Sequence, residues 1–370
     1  MDFKTYIYEL EGWPEFTWQT AEILDILADV RNKQGHLLGK MSLLGFDLQN
    51  EAFLETFTAD IIHTNEIEGI VLSKEDVRSS VAKRLGMDAG GLLPVNRNVD
   101  GIVDMMFDAV NHFDKPLTKE RLFGWHYALF PEGRSGIFRI VSGDWRKDKK
   151  GRMQVVSGTI GRETVHFTAP PAERVEEEMR LFLDWFNGNN ETDAVLKAGI
   201  AHLWFVTVHP FEDGNGRIAR AITDMLLARA DGFARRFYSM SSQIQRDRKT
   251  YYKILEETQK GSLDITRWLI WFLQTLGKSI DNSEEVLSSV INKHRFWSKN
   301  AKKIKNERQK KVLNKLLSGF TGNLTTKKWA RITKCSHDTA LRDIQDLINK
   351  GILRKSQAGG RSTNYVLNEF

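Results

Sequence analysis

The chain has 370 residues, a formal charge of +6, 28% charged and 41% hydrophobic residues and one cysteine. That length exceeds what one hydrophobic core usually serves, so two or three domains are expected. Lone Cys335 excludes an internal disulfide and fits a reducing compartment, the N-terminus lacks a basic-then-apolar leader, and no apolar run approaches the roughly 20 residues that span a bilayer, so a cytoplasmic protein without membrane contact is expected.

Trp13, Phe16 and Trp18 surround Pro14 as an aromatic cluster, expected to pack a short N-terminal segment into a core. Thr20 to Arg31 places Ile23, Leu24, Ile26, Leu27 and Val30 at helical spacing, and a second helical stretch from Gln49 carries Phe53, Leu54, Phe57, Ile61 and Ile62. This second helix ends in Thr64-Asn65-Glu66-Ile67-Glu68-Gly69. A carboxylate at a helix C-terminus opposes the helix dipole, so Glu68 calls for a cationic partner, and Thr64, four residues earlier, shares its face.

A helix over 77–86 leads to a Gly-rich boundary, Ala89 to Leu93, followed by helices over Arg97–His112 and Thr118–Leu129. The texture then changes. Val155-Val156 and Val165-His166-Phe167 read as short strands around the turn residues Ser157, Gly158, Thr159 and Ile160, a hairpin able to accept an extended segment as an added strand. Pro170-Pro171 closes it ahead of an amphipathic helix, Glu173–Asn187.

Asp193 to Val208 is apolar on nearly every face, the pattern of a fully buried helix. From Arg217 to Arg229, Ile218, Ala221, Ile222, Met225 and Leu226 share one face, and Arg217, Arg220 and Asp224 another. Between these helices lies HPFEDGNGRIAR, residues 209 to 220. Gly214 and Gly216 bracket Asn215, so the backbone can take positive φ and aim free N–H groups at one point. Those donors open a helix, where the dipole favours an anion, and Arg217 and Arg220 add forked cations suited to phosphate oxygens. Asp213 offers a hard oxygen for Mg²⁺ beside substrate phosphates, and His209 can take a proton near neutral pH. Neither the G-x-x-x-x-G-K-[ST] nor the strand-borne G-x-G-x-x-G fingerprint is present.

Ser241 to Lys260 continues as helix, with Arg246, Arg248, Tyr251 and Tyr252 either lining a nucleotide base pocket or lying on a solvated face. Thr266 to Gly277 closes the core. His63, His112, His126, His166 and His202 lack metal-ligand spacing and read as structural. From Lys293 to Phe370 the chain holds 19 Lys and Arg against 5 Asp and Glu, a balance of +14 that leaves the preceding 292 residues at −8. Asp281 to Arg308 reads as a long basic helix. Helices over 307–317, 325–331 and 336–350 and strands around Ile352-Leu353 and Tyr365–Leu367 then look like a winged helix-turn-helix, with Lys355 and Arg361 on the wing. Its charge suits phosphate contacts, while Asp338, Asp343 and Asp346 along the third helix weigh against DNA; such modules also dock proteins or set a homodimer.

His209, Phe211, Asp213, Gly214, Asn215, Gly216, Arg217 and Arg220 fill every fixed position of the HxFx[DE]GNGRxxR signature, and the segment resembles the Fic family. The resemblance implies transfer of AMP from ATP, with Mg²⁺, to a hydroxyl side chain of a target protein. His209 would deprotonate the hydroxyl, Asp213 hold the metal, the Gly214–Gly216 backbone and Arg217 the α- and β-phosphates and Arg220 the γ-phosphate, with Phe211 anchoring the loop. The hairpin, Val156 to Ile160, would be the flap that docks the target. Thr64 to Gly69 is similar to the family's [ST]xxxE[GN] inhibitory motif, whose glutamate pairs with the second motif arginine, here Arg220.

The fold class expected is mainly α: a Fic-type helical core with a small β-hairpin flap, plus a C-terminal winged helix-turn-helix. The expected divisions are 1–92, an N-terminal helical region; 93–280, the core; 281–306, a connector; and 307–370, the winged helix. The function expected is self-inhibited adenylyl transfer. The alternatives are a DNA-binding regulator whose core senses nucleotide, and a family enzyme that uses another donor or removes AMP.

Overall fold

The computed structural model describes residues 5–87, 97–149, 151–158, 162–189, 191–304, 306–317, 320, 322–356 and 363–368. Their contacts gather into two compact units, Met1–Glu284 and Glu285–Phe370.

The first unit is helical. Its elements are α1 (Thr20–Ser42), α2 (Phe46–Ile67), α3 (Lys74–Arg84), α4 (Arg97–Asn111) and α5 (Lys119–Leu129), then the two-residue strands β1 (Arg134–Ser135) and β2 (Phe138–Arg139). The antiparallel pair β3 (Gln154–Ser157) and β4 (Thr164–Thr168) follows, then α6 (Ala172–Asn187), α7 (Ala194–Val208), α8 (Asn215–Asp231), α9 (Met240–Arg246), α10 (Arg248–Gln259) and α11 (Thr266–Asn300). The helices α1 to α3 fall within the unit Met1–Glu284.

The centre is α7. Every residue from Val195 to Val208 is buried, and the side chain of Asp193 caps the helix by accepting from Val195 N and Leu196 N. A helix apolar on nearly every face has no solvent side to offer, so neighbours must enclose it. Opposite Gly199, a Cβ would sit 3.1 Å from the Phe272 ring, and Trp268 Nε1 donates to the Gly199 carbonyl at 2.8 Å. The absent side chain is what lets α11 approach. Trp13 and Phe16 meet Trp204 edge-on, with ring centroids 6.1 and 5.9 Å away, so the N-terminal aromatics pack as core.

Three boundaries differ from expectation, each for a readable reason. Periodicity appeared to end at Arg31, yet α1 continues to Ser42, because Gln34, Leu37 and Met41 carry on the buried stripe; Gln34 is polar but bonds Asp231 and Tyr238. The expected helix over 241–260 breaks at Asp247 (φ −123°, ψ 41°), separating α9 from α10. Conversely, α11 runs unbroken through Gly277, whose absent Cβ would stand 3.6 Å from Val30. Gly277 there serves helix packing and not a helix end.

The second unit contains a one-turn helix (Ala301–Lys303), α12 (Glu307–Leu317), α13 (Thr326–Thr333), α14 (His337–Asn349) and the antiparallel strands β5 (Leu353–Lys355) and β6 (Tyr365–Leu367). Trp329, Val312, Leu313, Ile344 and Leu347 form its buried centre, and Phe296 and Ile304, expected in a connector, pack into it. Arg361 lies outside the described residues. Among the described residues no helix is long and apolar enough to cross a membrane.

The tightest helix contact is at Gly101, where a Cβ would lie 1.9 Å from the Ala128 carbonyl oxygen. Gly101→Ala must push α4 and α5 apart, and overpacking of this kind costs about 1–3 kcal/mol. The urea midpoint is expected to fall accordingly; an unchanged midpoint would contradict the α4–α5 packing.

Candidate active site

The loop between α7 and α8 is held largely through its backbone. His209 ends α7 in the left-handed region (φ 52°), and Gly214 precedes α8 with φ 83°. The Asn215 side chain folds back to accept from Phe211 N at 3.0 Å and donate to Phe211 O at 2.8 Å. One amide thereby closes the loop on itself. Phe211 is wholly buried, its ring stacked on His126 with centroids 4.1 Å apart and 6° between planes.

His126 is a structural part of the site. Its Nδ1 accepts from Gly143 N at 3.0 Å, which leaves the proton on Nε2 to donate to the Asp213 carbonyl at 3.1 Å. Burial pushes its pKa down to about 4, so it holds the loop as a neutral ring. Arg146 was invisible to sequence reasoning. Nearly fully buried, it donates from Nε to the His209 carbonyl at 2.7 Å and from Nη2 to Pro170 O at 2.5 Å, with Asp148 on Nη1. Glu212 adds a further tie, accepting from Val141 N at 3.0 Å.

The reactive groups sit on this frame. His209 Nδ1 lies 3.1 Å from Val206 O, an atom that can only accept, so in the neutral ring the lone pair is on Nε2. Burial lowers its pKa to about 4, with the nearby Arg146 charge acting the same way. Asp213 accepts from Gly214 N at 2.5 Å and from the Ser135 hydroxyl, and its side chain is 43% exposed.

The two arginines have different partners. Arg217 is buried over the Phe130 ring, 5.0 Å from its centroid, and its Nε has no hydrogen-bond partner. Arg220, 2% exposed, donates from Nε to Thr64 Oγ1 (2.6 Å) and from Nη2 to Thr64 O (2.8 Å) and Glu68 Oε1 (2.7 Å), while Nη1 is unpartnered. Glu66, the competing carboxylate, instead faces His63 at 3.8 Å.

Gly216 corrects one expectation. It lies inside α8 with no positive φ, so freedom of φ is not what requires glycine there. A Cβ at 216 would meet Glu68 Oε1 at 2.3 Å and Arg220 Nη1 at 3.2 Å. The Glu68 carboxylate rests directly against the first turn of α8. Gly214 needs both its φ and its lack of a side chain, since a Cβ would stand 2.9 Å from the Phe130 ring.

A cavity of ≈ 1110 Å³ opens over this loop, bordered by His209, Asp213, Glu68 and Tyr252 and, on its other side, by Val156, Ser157 and His166 of the hairpin. The hairpin is bulged between Val155 and Val156 and anchored by buried Phe167 against Tyr8. Thr159 and Ile160 lie outside the described residues. Arg246, Arg248 and Tyr251 border the cavity too, and Tyr252 donates to Ile67 O at 3.3 Å, tying α10 to the end of α2.

Two buried helices thus hold a loop that presents His209 and the half-exposed Asp213 to the cavity, with Arg217 and Arg220 buried behind it. Residues 116–227 match the Fic/DOC family, and residues 6–87 match a domain of unknown function, DUF4172. The Fic/DOC match includes the whole loop between α7 and α8. It is 27% identical over 246 residues to a Caenorhabditis briggsae protein named protein adenylyltransferase fic-1, covering 65% of this chain and 43% of that one. It is 24% identical over 285 residues to protein adenylyltransferase Fic of Nematostella vectensis, covering 76% and 60%. The chain thus spans about half the length of these relatives. A Fic family protein from Desulfovibrio desulfuricans has the same fold, with a TM-score of 0.53 at 20% identity over 95% of this chain and 97% of that one.

Asn215→Ala leaves Phe211 N and O unpaired in the core, a cost of roughly 2–6 kcal/mol at 1–3 per buried group. Denaturant titration is expected to show that loss together with weakened nucleotide binding; retention of both would mean that the loop does not depend on the amide.

Proposed function

We propose that the chain transfers AMP from ATP to a hydroxyl side chain of a target protein and that its N-terminal region restrains the reaction. The observation that carries this reading is the pairing of Arg220 with Thr64 and Glu68 directly over the first turn of α8. The unpartnered Arg217 Nε and Arg220 Nη1 are donors in want of an anion, which is what a triphosphate supplies.

In this reading His209 Nε2 removes the proton of the target hydroxyl, the hydroxyl oxygen attacks the α-phosphorus, and pyrophosphate leaves. A neutral imidazole with its lone pair on Nε2 suits that role. Mg²⁺ fits the donor set: Asp213 keeps exposed carboxylate surface at the cavity, beside the phosphate donors, and would hold the ion together with substrate oxygens. When bound it would screen the phosphate charge. The hairpin, with Val156 and Val165 about half exposed, offers an edge for an extended target segment.

Restraint follows from charge and volume. Glu68 puts a negative group where the terminal phosphate would approach and engages the arginine that would receive it. A hydrogen bond to a charged group is worth about 1.5–3 kcal/mol, so Glu68→Gly should raise transfer roughly 10- to 100-fold. With α-labelled ATP and Mg²⁺, label mapped outside the β3–β4 hairpin is expected to be strong in Glu68→Gly, weak in wild type and absent in Glu68→Gly, His209→Ala. No label in any of them, with ATP still bound, would sink the ATP-donor reading.

The pKa of about 4 makes a second outcome specific. Because the folded value is depressed, the base form persists as pH falls below the ordinary 6.5 and is lost only near 4. The rate of Glu68→Gly should stay level from pH 8 to about 5.5 in respect of this group. A midpoint near 6.5 would show that His209 is not desolvated.

For the unit Glu285–Phe370 a second reading, as a winged helix that binds DNA, is favoured by how its acids are used. Asp343 is buried against Arg308 (2.8 Å) and Asn306 (2.7 Å), and Asp346 accepts from Gln309 and Lys350. Along α14 the exposed polar residues are then His337, Asp338, Arg342, Gln345 and Asn349, of which Arg342, Gln345 and Asn349 are of kinds that read base edges. Duplex binding by the full chain should weaken steeply with salt and weaken further in Arg342→Ala; salt-independent or absent binding would rule this out.

A further inference from the structure

The hairpin carries a second group of reactive side chains that faces the same cavity from the other side. Ser157, the last residue of β3, has its hydroxyl 2.6 Å from His166 Nε2 on β4. His166 Nδ1 is in turn 2.7 Å from Glu256 Oε2 on α10. All three residues border the cavity that holds His209 and Asp213.

Donors and acceptors are fixed by elimination. A carboxylate oxygen only accepts, so Nδ1 carries the imidazole proton. In the neutral ring Nε2 then bears the lone pair and accepts from Ser157 Oγ–H. The order is hydroxyl, base and orienting carboxylate, the arrangement that makes a serine oxygen a nucleophile. The second oxygen of Glu256 is taken by the Lys260 ammonium. Burial would raise the Glu256 carboxyl, but the Lys260 and His166 contacts outweigh it and hold it below the usual range, so the orienting group is ionised.

Fold stability alone gives little reason for this arrangement. Ser157 is exposed, and Ser157 and His166 are diagonal neighbours on a strand pair already anchored by Phe167 and Arg152. An exposed three-member relay contributes little to stability. Its position at the cavity rim, with an unblocked hydroxyl, is what a group meeting an electrophile requires.

Resting on the transferase reading above, we propose that Ser157, activated by His166 and Glu256, is an acceptor for the adenylyl group in cis. Ser157 Oγ attacks the α-phosphorus of ATP bound at the loop. The bond to the bridging oxygen of pyrophosphate breaks, the hydroxyl proton passes to His166 Nε2, and pyrophosphate departs with its charge. The product is a phosphodiester on the hairpin, which occupies the edge that a target segment would use.

The test uses the full chain as Glu68→Gly, and adds Ser157→Ala, His166→Gln or Glu256→Gln to it. Each is incubated with α-labelled ATP and Mg²⁺ and mapped by peptide mass spectrometry. In parallel, each is treated with a fluorophosphonate, which phosphonylates activated serines with loss of fluoride and needs no nucleotide. The expected result is AMP on Ser157, absent in Ser157→Ala and at least tenfold slower in His166→Gln and Glu256→Gln, with fluorophosphonate labelling following the same order. Ser157 is exposed, so its variant should fold, and ATP binding by Ser157→Ala checks that the loop is intact. AMP on other residues but not on Ser157 overturns the proposal and leaves the transferase reading standing. Fluorophosphonate on Ser157 without AMP anywhere overturns the acceptor role and the transferase reading together. AMP on Ser157 at an unchanged rate in His166→Gln overturns the relay.

Discussion

A guanidinium in a protein interior must be paired or solvated, and Arg220 is neither near water nor paired within its own helix. Its partners come from the end of α2, some 152 residues earlier in the chain. The N-terminal helices therefore do more than cover apolar surface: they supply the carbonyl, hydroxyl and carboxylate that make a buried cation tolerable in the absence of an anionic ligand. Removing Glu68 while Arg220 stays leaves Thr64 as its remaining partner. That exposes the cost of the buried charge to whatever anion can reach it, and so links ligand affinity to the same contact that holds α2 in place.

The rest of the site is built to keep the loop from adjusting. Asn215 fastens the loop across its own turn, His126 and Arg146 fix the carbonyls of Asp213 and His209, and Phe211 fills the space beneath. These groups act on the backbone, and His126, Arg146 and Phe211 lie behind the cavity, which Asn215 borders. Neutral His126 adds no charge near the phosphate donors, whereas an arginine or lysine in its place would. Pre-organised N–H groups can then meet an anion without reorganisation, which is where such sites draw most of their strength.

Much of this was legible in the sequence because it is local. The buried helix before the loop, the anion-binding turn, the two arginines and the Thr64–Glu68 face are patterns within short windows, and the structure brings Thr64, Glu68 and Arg220 together. What was not legible depends on long-range packing. Gly216 read as a source of backbone freedom, although its requirement comes from a carboxylate of another element. Gln34 read as the end of a helix because its buried partners, Asp231 and Tyr238, are about 200 residues away. Arg146 has no local mark, and His166 looked like an ordinary hairpin residue until Glu256 of α10 stood beside it. The acids of α14 were visible, but that Arg308 pairs Asp343 and that Gln309 joins Lys350 on Asp346 was not.

The absent side chain at Gly216 also constrains how the protein could change over generations. The gap is shared: it accommodates the Glu68 carboxylate now and borders the N–H groups that would meet a phosphate. A methyl group there would displace the carboxylate, whereas Thr64 and Glu68 can be exchanged at the α2 end without adding an atom to the loop. The contact between α2 and α8 is thus limited, on the α8 side, by the volume of one carbon atom.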